Sequence, residues 1–302
     1  MGTRPHILVV NGRKVCKPVF VIGAPHSGTD LLARALKRSA GFHLTIGQPS
    51  VMSVVYAFAR SPSIQRGRGE AVATVLRDAF AQAWQVTAHA CLACSDTCRD
   101  AGGVQGAASC VAERDITRYG DASPDLMYCA EELVEAFPDA QLVQIIRDGR
   151  DVVAAMLADS AALAWFKPSV ANVDTEFPNP FFGIETQDDL AAWPGLSLAG
   201  KCAMRWRGSV RTMARLRSSM PADGLTTLRY EEVIRHPATA ARTVSGFIGA
   251  DVAAATLRSN GMAAAAAAAI PPGGWRAALT PQQLGDVEQV AGIDLRRVGY
   301  GS

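Results

Sequence analysis

The chain has 302 residues, 49% of them hydrophobic and 19% charged, and its 30 Lys and Arg against 28 Asp and Glu leave a formal charge of +2. This balance excludes a disordered chain, a collagen and a coiled coil, and it carries neither the basic footprint of a nucleic-acid binder nor an acidic tail. The longest apolar stretch, Met262 to Ile270, is nearly all alanine and falls short of the roughly twenty residues of a membrane span, so a soluble cytoplasmic chain with reduced thiols is expected.

The opening residues His6 to Val15 place two short apolar arms around Asn11-Gly12, a pair suited to the positive φ angles of a tight hairpin turn. Pro18 to Ile22 is a continuous β-rich run ending at Gly23, as in a strand covered on both faces. From Gly28 onward, Leu31, Leu32, Ala35 and Leu36 recur at helical spacing, so a strand passes through a loop into a helix. Glu70 to His89 reads as helix. Ala90 to Ala112 reads as an irregular insertion holding four of the seven cysteines. A helix from about Glu131 to Phe137 precedes a second strand, Gln141 to Ile146, and Val152, Val153, Met156 and Leu157 continue as helix. Trp165 to Pro194 is irregular and rich in aromatic residues and proline, a composition that often walls a substrate cleft.

A helix from Ala203 to Leu216, a third strand from Leu225 to Tyr230 and a helix from Thr239 to Ile248 follow. The alanine run 263–269 and Pro271-Pro272-Gly273-Gly274 suggest a helix leading into a lid, and Thr280-Pro281 opens a last helix with a Thr cap. Strands alternating with helices imply an α/β fold, three-layered with a mainly parallel sheet. The expected organisation is an N-terminal hairpin over 1–17 and one domain over 18–302 with a Cys-rich insertion near 89–112.

Gly23-Ala24-Pro25-His26-Ser27-Gly28-Thr29-Asp30 spaces two glycines four residues apart, so its backbone amides can curl around a phosphate at the helix start. The nucleoside-triphosphate version of such a loop has Lys and then Ser or Thr after the second Gly, to offset phosphate charge and hold magnesium. Thr29 and Asp30 stand there instead, which disfavours kinase or NTPase chemistry.

The same loop resembles the Pro-Arg-Ser-Gly-Thr-Thr signature of sulfotransferases that use 3′-phosphoadenosine-5′-phosphosulfate (PAPS) and release 3′-phosphoadenosine-5′-phosphate (PAP). Asp121-Ala122-Ser123-Pro124 is similar to the family's Asp-Lys-Thr-Pro element. Arg147-Asp148-Gly149-Arg150-Asp151 resembles its 3′-phosphate segment, Leu228 to Glu232 its third strand, and Gly274-Trp275-Arg276 its closing lid. The resemblance spans about Pro18 to Tyr300 and implies a P-loop-NTPase-like topology in one domain. It implies further that Ser27, Gly28, Thr29 and Asp30 hold the phosphosulfate end and Arg147 the 3′-phosphate, with Tyr230 helping and Trp275 and Arg276 covering the nucleotide. The implied partner is a small-molecule acceptor whose hydroxyl or amine takes the sulfuryl group, with no nucleic acid or membrane; a homodimer is left open.

The chain departs from that pattern at several points. His26 replaces the loop Arg, Asp30 the second Thr, Ala122 the Lys, and Ala155 a Ser; Gln48 sits where related enzymes place a Glu base. His26, protonated beside a bound anion, would replace the Arg charge, and Asp30, Asp121 or His43 stand as candidate bases. His26 and Asp121 are taken as the catalytic pair. A nucleotide-binding protein that has lost transfer and serves as scaffold or regulator is the alternative. Finally, Cys91-x2-Cys94, Cys98 and Cys110 carry zinc-like spacing, and a structural zinc, two disulfides or reduced thiols are the states open to them.

Overall fold

A computed structural model describes residues 7–64, 69–171, 173, 176–259 and 270–301. The expected alanine helix at 263–269 lies outside the described residues.

The architecture is α/β. Five parallel strands, β3 (Val19–Ile22), β4 (Phe42–Thr45), β5 (Arg118–Asp121), β6 (Gln141–Ile146) and β7 (Leu225–Arg229), line up in the order β4-β5-β3-β6-β7. A separate antiparallel hairpin, β1 (Val9–Val10) and β2 (Arg13–Lys14), turns through Asn11 and Gly12, both at positive φ. This hairpin is tied to the main body. The Asn11 side chain donates to the Trp84 carbonyl at 2.9 Å and accepts from the Val86 amide at 3.0 Å, while the Tyr119 hydroxyl donates to the Val10 carbonyl at 3.0 Å.

Successive side chains of a strand point to opposite faces, and β3 uses both. Phe20 and Ile22 pack with α2 (Pro49–Arg60), α3 (Gly69–Ala83) and α5 (Ala130–Ala136), where Phe20, Phe80, Trp84 and Phe137 form an aromatic nucleus. Val19 and Val21 face the other way, into a cluster with Leu32 and Leu36 of α1 (Thr29–Lys37), Cys98 and Ala101 of α4 (Asp96–Gly102) and the helix Pro237–Ile248. The sheet is thus covered on both faces, which accounts for the unbroken apolar run of β3.

The chain leaves β3 toward β4 and leaves β6 toward β7, so the connections diverge between these two neighbours. In open α/β sheets a crevice forms outside the carboxyl ends of the strands at such a switch point. The loop Gly23 to Gly28 follows β3 there, and Arg147 follows β6, leading into α6 (Gly149–Leu157). Behind α6 runs α7 (Leu198–Ser219), whose Trp206 donates from Nε1 to the Arg147 carbonyl at 3.2 Å. A Cβ at Gly149 would sit 2.7 Å from the Trp206 ring, so only glycine admits this packing.

Much of the aromatic segment 165–194 is core and not cleft wall. Phe166, Phe181, Phe182 and Trp193 are buried against one another and against α6 and α7. No helix among the described residues is long and apolar enough to cross a membrane.

Candidate active site

The strand β3 ends in a loop whose last turn is set by Gly28, at φ +91, as the N-cap of α1. A Cβ there would lie 2.3 Å from the Tyr230 ring, so the absent side chain is what lets Tyr230 close on the loop. No side chain caps the start of α1, which leaves its first amides and the positive end of its dipole as an anion cradle. The Ser27 hydroxyl is buried with no hydrogen-bond partner, and Asp30 is turned to Arg34, which donates from Nε at 2.8 Å. That pairing offsets the carboxylate charge that would otherwise repel an anion.

Opposite the loop, Arg147 donates to the carbonyls of His26, at 3.0 Å, and Ile270, while its guanidinium lies 4.5 Å from the Tyr230 ring centre. Its Nε is buried without a partner. The nearby acids are engaged elsewhere. Arg150 takes Asp148 through Nε and Nη2, at 3.0 and 2.8 Å. Asp151 accepts from the amides of Gly273, at 2.8 Å, and Trp275, at 2.9 Å. Removing that carboxylate leaves two inward-facing amides unpaired, so Asp151→Ala is expected to cost about 2–4 kcal/mol in urea unfolding. A loss under about 0.5 kcal/mol would contradict this anchoring role.

A cavity of about 620 Å³ lies between these groups, with His26, Gly28, Thr29, Asp30, Arg147 and Tyr230 among its walls. Ser27, Trp275 and Arg276 are not among the lining residues. The Trp275 ring is covered by the guanidinium groups of Arg150, at 4.3 Å, and Arg276, at 4.4 Å, and it packs with Ala155 and Ile270, which do line the cavity.

His26, held at φ +61, directs Nε2 to the Asp159 carboxylate at 3.1 Å. This partner, 133 positions away, has no signal in the sequence beyond an Asp before a short helix. The pair also lines a second, smaller cavity. Burial holds the imidazole below its ordinary 6.5, opposed by Asp159 and aided by Arg147 and Arg205. The downward shift favours the neutral form of the ring. Since an ionised carboxylate only accepts, the ring proton belongs on Nε2 and the lone pair on Nδ1.

Asp121 lies elsewhere. It is fully buried at the end of β5, accepting from the Thr45 hydroxyl at 2.6 Å and the Ser123 amide at 2.7 Å, and it lines neither cavity. Burial pushes its carboxyl from 3.8 up to about 7, against those two hydrogen bonds. The folded chain therefore keeps a proton that the unfolded chain releases between these values. The group's contribution is whole below 3.8 and is lost as pH rises through about 7. Wild type should lose stability relative to Asp121→Asn as pH rises across that window, measured by urea unfolding; a pH-independent difference would contradict it.

Gln48 and His43 also lie away from the cavities. Gln48 donates to Cys94 Sγ at 2.8 Å, and burial lowers His43 to about 4. The four clustered cysteines do converge: the Cys110 amide donates to Cys91 Sγ at 2.9 Å. The cation among them is the Lys37 ammonium, 3.4 Å from Cys110 Sγ and 2.7 Å from the Leu44 carbonyl. Burial opposes that charge, but Cys98 and Cys110 carry Lys37 above its ordinary range. Among the described residues no group of three or more His, Cys, Asp or Glu is arranged for a metal, so zinc, one of the three states open to the cluster, is unsupported.

With this geometry in view, a match of the Sulfotransferase family model to residues 18–254 defines the class, and the chain belongs to the sulfotransferase family. Among solved structures it is similar to the sulfotransferase domain of the Synechococcus PCC 7002 olefin synthase, at 15% identity over 91% of this chain and 94% of that one, with a TM-score of 0.45. It is similar also to mouse sulfotransferase SULT7A1 complexed with PAP, at 15% identity over 94% and 86%, with a TM-score of 0.46. Sulfotransferase STF9 from Mycobacterium avium matches at 13% identity over 94% and 77%, with a TM-score of 0.45. No curated protein matches the chain.

Proposed function

We propose that this protein transfers a sulfuryl group from PAPS to a hydroxyl or amine of a small molecule. The observation that carries this reading is the unpartnered buried Nε of Arg147, a residue that lines one cavity together with the uncapped start of α1. Buried polar groups are normally hydrogen-bonded, so an orphan on a residue of the cavity wall marks a place for a ligand atom.

The amides of Gly28, Thr29 and Asp30 would hold the phosphosulfate end, the Ser27 amide being taken by the Ala24 carbonyl at 3.0 Å, and Arg147, with Tyr230 against its face, the 3′-phosphate. PAPS supplies the sulfuryl group and departs as PAP with the electron pair of the broken sulfur–oxygen bond. His26 Nδ1 takes the acceptor's proton as the acceptor bonds to sulfur, and Asp159 steadies the imidazolium so formed. The amides at the start of α1 stabilise the charge growing on the departing 5′-phosphate without reorganising. Trp275 and Arg276 act from outside, holding the segment that carries Ile270 over the cavity.

The test combines calorimetric titration with PAP and transfer of radiolabelled sulfate from PAPS to a pool of alcohols, phenols and amines. Binding with turnover is expected. Ala155, where related enzymes carry a Ser, lines the cavity and favours the second reading, a nucleotide-binding scaffold or regulator; binding without turnover on any acceptor would support it. Absence of PAP binding would overturn both.

A further inference from the structure

The second cavity, of about 260 Å³, opens on the other side of the His26–Asp159 contact, with Tyr56, Asp125, Trp165 and Arg205 among its walls. It falls below the roughly 300–1,000 Å³ of sites for drug-sized ligands, which suits a single-ring molecule. One wall is aromatic. The Tyr56 and Trp165 rings lie 5.0 Å apart, and Trp165 is backed by Phe181 at 4.7 Å.

The other end is polar and nearly dry. Arg205 is only 1% exposed, with its guanidinium 3.9 Å from the Phe181 ring centre and 5.1 Å from that of Tyr128. It donates from Nη2 to Asp125, which also interacts with the Tyr56 hydroxyl. The pair is balanced in charge, yet Arg205 Nε remains buried with no hydrogen-bond partner. A ligand carboxylate here would face Asp125, and a ligand ammonium would face Arg205, each at low dielectric where such repulsion is strong. A neutral oxygen meets neither penalty and satisfies the orphan N–H.

We propose that this cavity takes the acceptor, and that the acceptor is a small uncharged aromatic hydroxy compound carrying a second, hydrogen-bond-accepting oxygen. Its ring lies on Tyr56 and Trp165, its reacting hydroxyl meets His26, and its second oxygen accepts from Arg205 Nε. This inference rests on the sulfotransfer reading, in which the larger cavity holds the donor.

The experiment titrates PAP-loaded protein calorimetrically with 4-hydroxyacetophenone, 4-ethylphenol, 4-hydroxybenzoate and tyramine. The first combines a neutral ring, a hydroxyl and a carbonyl oxygen, and it is expected to bind about tenfold or more tighter than each of the others. Ala161→Trp places a bulky ring at an exposed position on the cavity wall. It should abolish binding of 4-hydroxyacetophenone while PAP affinity stays within about threefold of wild type. If PAP binds and no probe does, if 4-ethylphenol or a charged probe binds as well, or if Ala161→Trp binds 4-hydroxyacetophenone like wild type, the inference falls and the donor reading stands. Failure of PAP itself to bind removes the donor reading, and the inference with it.

Discussion

Arg147→Ala is expected to weaken PAP binding by about thirtyfold or more, equivalent to about 2 kcal/mol for a charge-assisted contact. The size follows from how the neighbouring charges are shared. Asp148 is committed to Arg150, and Asp151 to the amides of Gly273 and Trp275, so no salt bridge involves Arg147 among the described residues. Its guanidinium is fixed by the carbonyls of His26 and Ile270 and by the Tyr230 ring, with Nε unpaired. A prepositioned donor loses little conformational freedom on binding, which raises its worth to the ligand. Arg147→Lys restores the charge but not the planar fork, and should recover only part of the affinity. Because the same side chain ties the loop to Ile270, calorimetry should be paired with urea unfolding. Unchanged affinity in a folded Arg147→Ala protein would remove this residue from the nucleotide site.

The central sheet was legible where strands carry β-rich runs. Val19–Ile22, Gln141–Ile146 and Leu225–Arg229 stand where their β-rich runs predict them, and the helix following Thr280 begins with the expected cap, Thr280 accepting from the Gln283 amide. The strands Phe42–Thr45 and Arg118–Asp121 escaped that reading. His43, Arg118, Gly120 and Asp121 break the apolar pattern, and these positions are covered through tertiary contacts, such as the Trp84 indole donating to the Gly120 carbonyl, that no local periodicity records.

The site divides the same way. The glycine-bounded loop and Arg147 sit in contiguous motifs, and sequence order brings them to the ends of adjacent strands. Asp159, Asp125 and Arg205 belong to no motif. Asp159 meets His26, and Asp125 meets Arg205, only through the tertiary fold, which joins segments far apart in the chain. Asp121 misled for the opposite reason: its motif is recognisable, but its carboxylate is consumed by Thr45 and Ser123.

His26→Asn should lower kcat by about a hundredfold or more, the usual worth of a positioned base, while leaving PAP affinity within about threefold. The pH profile separates a base from a charge donor. A base works when deprotonated, and burial with Arg147 and Arg205 keeps His26 below 6.5, so kcat/KM for PAPS should rise with pH to a plateau with its midpoint under 6.5. A bound anionic donor favours the imidazolium, so the midpoint in kcat should lie higher than that in kcat/KM. Asp159 raises the imidazole, so Asp159→Asn should move the kcat/KM midpoint further down and lower kcat through lost orientation of the ring. Were His26 instead to act as the positive charge that replaces the loop Arg, activity would decline as pH rises through its midpoint. The slope of one titration therefore decides between proton acceptor and electrostatic stabiliser, and a declining profile would transfer the base role to the acceptor's own acidity.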